Sequence, residues 1–227
     1  MLTQSMTQIA PPYRSEKPSA DPVGLRGPTN TIDLMGAPLP FNRNVEIYGE
    51  NEPAEYLYKV ISGAVRTYKI LADGRRQIQA FNLPGDVFGF EVESDHTHSA
   101  EAIVDSRVLV VKRSAIEALA ARDNSVAHEL WSLTARELQR LQRHVTLLIK
   151  TAQERVVSFL LEMAERSPSV SAVNLPMSRQ DIADYLGVTI ETVSRTLSGL
   201  EIAAAIELPS SRRIVLRDHE ALSRLCN

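Results

Sequence analysis

Between Ser178 and Glu201 the chain spells a capped helix, a glycine and a second capped helix, and this constrains its fold more than any other stretch. Ser178-Arg-Gln-Asp181 has the form of a capping box, in which a hydroxyl and a carboxylate satisfy backbone donors left over at a helix start. Ile182, Ala183 and Leu186 give that helix one apolar face. Gly187 then stands where a turn between two crossing helices needs φ > 0, and Ala183 is small where the helices approach closely. Thr189 can cap a second helix from Ile190 to about Glu201, with Val193, Leu197 and Leu200 facing inward. The order predicts a helix-turn-helix.

Glu191, Ser194 and Arg195 are spaced i, i+3 and i+4, on one face at the end of the helix that enters the major groove in this motif. Arginine can donate twice to guanine, glutamate can accept from the cytosine amine, and serine can serve either way. With Ile190 they are the expected base contacts. Read in isolation, the same face is a solvated surface with an internal Glu191–Arg195 pair worth only about 0.3–0.5 kcal/mol. The surrounding order of caps and turn favours DNA. Downstream, Ala205-Ile-Glu-Leu208 and Arg213-Ile-Val-Leu-Arg217 flank Pro209-Ser-Ser-Arg212, which reads as a strand pair with a polar tip. Such a wing could bring Ser210, Arg212 or Arg213 near phosphates, contacts that position without reading sequence.

Upstream, the Pro-rich stretch 1–30 reads as a disordered arm. From Val45 to Val111 short β-rich runs (Tyr56–Ile61, Ala64–Leu71, Arg76–Phe81, Arg107–Val111) alternate with turn residues, and Asp73-Gly74 is a hairpin signal. The expectation for 31–122 is an antiparallel barrel or sandwich. For 123–152 it is a long helix opened by Asp123-Asn124-Ser125. Ala127, Trp131, Thr134, Leu138, Leu141, Val145, Leu148 and Ala152 alternate spacings of four and three, a heptad seam, leaving Arg136, Glu137, Arg140 and Arg143 for the outer faces. A seam serves either an intramolecular core or a partner helix. A lone helix of this length would have to lie along the barrel, so Trp131, Leu138, Leu141, Val145 and Leu148 are assigned to a homodimer interface. A further helix, Gln153 to Glu165, begins the C-terminal region 153–227. The fold class is α+β: jelly-roll barrel, dimerisation helix, winged helix-turn-helix.

Composition narrows the alternatives. A net charge of -3 excludes a histone-like binder but not a local basic surface. One cysteine, Cys226, supports neither a disulfide framework nor a zinc or iron-sulfur site, and it reads as an exposed thiol on a mobile tail. No apolar run approaches the roughly 20 residues of a spanning helix. No membrane partner, resident metal or cofactor is expected, and the location is cytoplasmic.

In this order the three parts resemble the catabolite activator and fumarate-nitrate reduction regulator superfamily, over about Leu34 to Arg217. Leu175-Pro-Met-Ser-Arg-Gln-Asp-Ile-Ala-Asp-Tyr-Leu-Gly-Val-Thr-Ile-Glu-Thr-Val-Ser-Arg-Thr-Leu looks most like the FixK-type branch. That resemblance implies a cyclic-nucleotide-binding-like jelly roll and base reading by Glu191, Ser194 and Arg195. The implied target is a palindrome of TTGA and TCAA half-sites four base pairs apart. It also implies phosphate contacts near Ser178, Arg179, Thr189 and Thr192, to which the wing adds Arg213. Members of the branch recruit RNA polymerase as homodimers and govern low-oxygen respiration, denitrification or nitrogen fixation genes.

Three departures limit the likeness. The arm has none of the cysteines by which oxygen sensors of the superfamily hold an iron-sulfur cluster. Where cyclic-AMP binders place an Arg-Ser pair after a Gly-Glu, His98-Ser99 and Gly85-Asp86 are the expected counterparts, so a fixed positive charge is missing and a cyclic nucleotide is not expected as effector. Ala204 stands where relatives place glycine before the wing, at a cost of about 1 kcal/mol if left-handed. One alternative comes from another class: His96-Thr-His98 with Glu101 resembles the metal triplet of cupin enzymes, without the third histidine that cupins add from a later strand.

Overall fold

The structure, a computed structural model, describes residues 31–167 and 172–226. The arm assigned to 1–30 lies outside the described residues. The N-terminal half runs α1 (Thr31–Met35), β1 (Ala37–Phe41), β2 (Glu46–Tyr48), β3 (Tyr56–Ser62), β4 (Val65–Ile70), β5 (Arg76–Asn82), β6 (Val87–Phe88), β7 (Ser99–Ala102), β8 (Ser106–Lys112) and α2 (Arg113–Ala120). Two antiparallel four-stranded sheets form, ordered β1-β8-β3-β6 and β2-β7-β4-β5. The expected barrel is therefore a jelly roll of two separate sheets. Register shifts at Val60/Ser62 and Thr67/Tyr68 interrupt the β3–β8 and β4–β5 ladders, which resume beyond them. The predicted hairpin is present: β4 and β5 pair from Ile70↔Arg76 inward, with Gly74 at φ 83°.

The C-terminal half contains α3 (Asn124–Leu147), α4 (Ala152–Glu165), β9 (Ala172–Asn174), α5 (Arg179–Leu186), α6 (Ile190–Ile202), β10 (Ile206–Glu207), β11 (Arg213–Leu216) and α7 (His219–Arg224). Asp123 caps α3 through the backbone N–H of Ser125 at 2.8 Å. The helix ends sooner than expected, because Thr151 and Glu154 form a capping box that starts α4. Leu148 and Ala152 therefore lie beyond α3. Val126, Leu133 and Leu147 bury one face of α3. Trp131, Leu138 and Val145 stand 73%, 55% and 62% exposed on another, and Leu148, the C-cap just past the helix, 51%. Glu137 and Arg140 do not face outward as expected. They are half-buried and paired at 2.7 Å, with Arg140 3.2 Å from Asp86.

One apolar core joins the jelly roll to α4 and the helix-turn-helix. Ala64, Ile78, Phe81 and Ile103 of the jelly roll pack with Phe159 and Leu160 of α4 and Tyr185 of α5. The wing has three strands, β10-β11-β9. Cys226 does not sit on a free tail: it is partly buried, Ser158 Oγ donates to its sulfur at 3.4 Å, and Lys150 Nζ donates to its carbonyl at 2.8 Å.

Candidate DNA interface

Local chemistry builds both helices of the motif. Ser178 Oγ accepts from the Asp181 N–H at 3.1 Å, and Asp181 accepts from the Ser178 N–H at 2.9 Å, closing the expected box. Gly187 ends α5 at φ 63°, ψ 39°. A Cβ there would meet nothing nearer than Arg155 Nη1 at 3.8 Å, so the backbone conformation, not space, requires glycine. Arg155 holds the junction by donating to the carbonyls of Leu148 at 2.8 Å, Lys150 at 3.1 Å and Leu186 at 3.0 Å, ends of helices where a cation is favoured. Thr189 caps α6 through the Thr192 N–H at 3.2 Å. Val193, Leu197 and Leu200 are buried as the pattern predicts.

The outer face of α6 presents the base-reading candidates. Ile190, Glu191 and Arg195 are exposed, and Ser194 is half-buried. Glu191 is held below the usual carboxylate range first by its own backbone N–H, then by the Thr189 hydroxyl, with the charge of Arg195 a smaller contributor. The helix start therefore keeps Glu191 ionised, and Arg195 remains open to solvent. Arg179 Nη1 donates to Ser194 Oγ at 3.3 Å. The two residues, expected to serve phosphate and base separately, thus touch. Ser178 is half-buried, Thr189 and Arg213 are exposed, and Thr192 is half-buried along the same side. At the wing tip Ser210 Oγ accepts from the Arg213 N–H at 3.1 Å.

Sequence reasoning missed what holds α5 from behind. Asp181, besides capping, accepts from Arg66 Nη1 of β4 at 2.8 Å and Arg76 Nη2 of β5 at 2.6 Å. Arg76 also bonds Asp184 at 2.7 Å, and Arg66 bonds Glu101 of β7 at 2.8 Å. Burial pushes the Asp181 carboxyl up, but the Ser178 donors and the two guanidiniums more than reverse this and hold it below its usual range. No local pattern signals such a cluster, because its partners lie 115 and 105 residues away.

The cupin-like triplet does not converge. His96 is buried and stacks on Tyr48 with ring centroids 3.6 Å apart, His98 bonds Thr97 at 2.9 Å, and Arg66 takes the Glu101 carboxylate. Among the described residues no group of three His, Cys, Asp or Glu could hold a metal ion. The cavity beside His98 is lined by Tyr48, Thr67, Asn82, Gly89 and Glu91. Gly85 and Asp86 instead line a groove with Arg140 and Arg166, so the glycine facing His98 is Gly89, not the expected Gly85. This cavity measures about 110 Å³, well under the roughly 300–1,000 Å³ of ordinary ligand pockets. Burial first, and then Lys69, lower the His98 pKa against Glu91 and Glu50, which leaves no fixed cation for a cyclic phosphate. The pocket does not fit that ligand.

A jelly roll, a long helix with one apolar stripe open, and a winged helix-turn-helix with a polar reading face define a DNA-binding transcription regulator. Residues 38–123 match a cyclic nucleotide-binding domain model, and residues 154–225 a Crp-like helix-turn-helix domain model. The nitrogen fixation regulation protein FixK of Azorhizobium caulinodans is 53% identical over 204 residues, 87% of this chain and 82% of its own length. That of Rhizobium meliloti is 41% identical, covering 80% of this chain and 83% of its own. The solved structure of FixK2 from Bradyrhizobium japonicum superimposes with a TM-score of 0.82 at 51% identity, over 85% of this chain and 98% of that one. The chain belongs to the CRP/FNR family of transcription regulators and is of the FixK type. Its relatives are regulators, not enzymes.

Proposed function

We propose that this regulator works in the cytoplasm as a homodimer that binds a palindrome of TTGA and TCAA half-sites and activates genes of low-oxygen respiration, denitrification or nitrogen fixation by recruiting RNA polymerase. The physiology rests on the names of the FixK relatives. Support for the dimer is the exposed stripe of Trp131, Leu138 and Val145 on α3. The cytoplasmic assignment is consistent with the absence, among the described residues, of a helix long and apolar enough to cross a membrane.

The observation that carries the reading is the open face of Glu191, Ser194 and Arg195 at the start of a capped, well-buried α6. Glu191, Ser194, Arg195 and Ile190 read bases, while Ser178, Arg179, Thr189, Thr192 and Arg213 hold phosphates. Arg195 then donates twice to the guanine of each half-site, worth about 1–3 kcal/mol of discrimination apiece. Arg195→Ala should weaken binding to the palindrome by about 2–6 kcal/mol if the two contacts are additive, and binding to a scrambled duplex far less. Measured at one fixed salt concentration, an unchanged ratio between the two duplexes overturns base reading by Arg195.

Activity does not depend on a cyclic nucleotide in this reading, for the reasons of volume and charge at His98. Cyclic AMP or cyclic GMP at millimolar levels should change DNA affinity less than about twofold, because an effector shifts an equilibrium only by its differential affinity for the two states. A tenfold tightening refutes this.

A further inference from the structure

The β4–β5 hairpin reaches past α5 to the start of the recognition helix. Its position there is fixed, since Arg66 and Arg76 bond Asp181, Arg76 also bonds Asp184, and Gln77 Nε2 approaches the Tyr185 carbonyl at 3.5 Å. At the hairpin tip, Leu71 and Arg75 line one wall of a cleft whose other wall is Gly187, Val188, Thr189 and Glu191. This cleft opens on the edge of the motif that carries Thr189. Arg75 has a side chain 77% exposed, and among the described residues that side chain pairs only with Asp73, half-exposed and two residues back, at 2.7 Å through Nε. The terminal nitrogens of its guanidinium are therefore left to solvent. An exposed pair of this kind is worth at most about 1 kcal/mol and engages only Nε, so it does not withhold the terminal nitrogens from a phosphate diester, with which a guanidinium forms charge-assisted bonds.

We propose that Arg75 is a DNA phosphate contact contributed by the jelly roll rather than by the DNA-binding domain. The proposal rests on the DNA-reading assignment of α6, and it adds a contact that positions without reading sequence. Its geometry also gives the cluster around Asp181 a purpose: the docking of α5 on β4 and β5 sets where the tip arginine stands relative to the duplex. The contact forms only while the two domains are docked as they are here.

The test is the salt dependence of DNA affinity in the full chain. Each neutralised phosphate contributes about 0.9 to the slope of log K against log salt, so a dimer that loses two should lose about 1.8. Between about 50 and 200 mM salt the advantage of the unmodified protein over Arg75→Ala should then shrink roughly tenfold. The loss should be the same on the palindrome and on a scrambled duplex. Arg75→Lys, which keeps a point charge, should restore most of the slope. Arg122→Ala provides the control for bulk charge: Arg122 is exposed and lies before α3, at the end of that helix away from α4, about 35 Å along its axis. An unchanged slope for Arg75→Ala, or an equal loss for Arg122→Ala, overturns the proposal. Failure of the base-reading assignment looks different: the unmodified protein would then not prefer the palindrome, and the slope comparison could still be made on any duplex.

Discussion

Ala204 occupies the left-handed region at φ 56°, and the N–H of Ala205 closes the end of α6 by donating to the Leu200 carbonyl at 3.0 Å. Gly187 does the same for α5 with the residue type that suffers no Cβ penalty. An L-residue in this conformation costs about 1–2 kcal/mol, while glycine gives back part of that gain through the freedom of the unfolded chain. Ala204→Gly should therefore stabilise the protein by up to about 1 kcal/mol, read as a higher urea midpoint with an unchanged slope. A lower midpoint refutes the strain. Both positions were legible in the sequence, because a turn of this kind has a fixed backbone requirement. Asp181 was legible only by half. Its box with Ser178 lies within four residues, but its bonds to Arg66 and Arg76 depend on how two distant elements dock.

Helix α3 carries two faces, and the heptad pattern identified the one that its own protomer leaves uncovered. The other, with Val126, Leu133 and Leu147, is buried by the jelly roll and α4. Leu141 stands between them, half-buried beside the cavity of His98, so a charge there would disturb the protomer as well as a partner. Leu138 is the cleaner probe. At 55% exposure it can become glutamate without unfolding the chain, yet in a parallel homodimer it would set two carboxylates in one seam. Leu138→Glu should give a folded monomer by sedimentation, with palindrome affinity lost. A mutant that still sediments as a dimer places the interface elsewhere. Some elements escaped the sequence for physical reasons. β1 contains Pro38 and Pro40, which argue against a strand, and it survives because it pairs only with β8 at a sheet edge. β9 is three residues long, too short for alternation to show.

At the scale of the whole molecule, the ties that hold the DNA-binding domain to the jelly roll are of two kinds, apolar and ionic, and Arg166 adds an ion pair to Asp86 beside those that hold α5. One is the shared apolar core, where Tyr185 of α5 lies 5.1 Å from the ring of Phe81 and 5.8 Å from that of Phe159. This part tolerates acid. The other is the ionic cluster of Arg66 and Arg76 with Asp181 and Asp184, which does not. The Asp181 side chain is 5% exposed, so removing its charge leaves two guanidiniums without their shared buried partner. Breaking a buried pair in this way costs about 3–5 kcal/mol, to be reduced here because Arg66 keeps Glu101 and Arg76 keeps Asp184. Asp181→Asn should thus destabilise the protein by about 2–3 kcal/mol at pH 7 and speed hydrogen exchange in β5 and α5 ahead of the other strands. The pH dependence follows from the direction of the shift. The folded-state pKa of Asp181 is depressed, so its contribution is present in full above the unfolded value of about 3.9 and is lost as pH falls through the lower folded value. Urea unfolding of the two proteins side by side should show a gap that is constant from pH 7 to about pH 5 and closes on further acidification. A gap that holds below the ordinary carboxylate range, or widens there, means that Asp181 acts through its capping geometry and not through its charge.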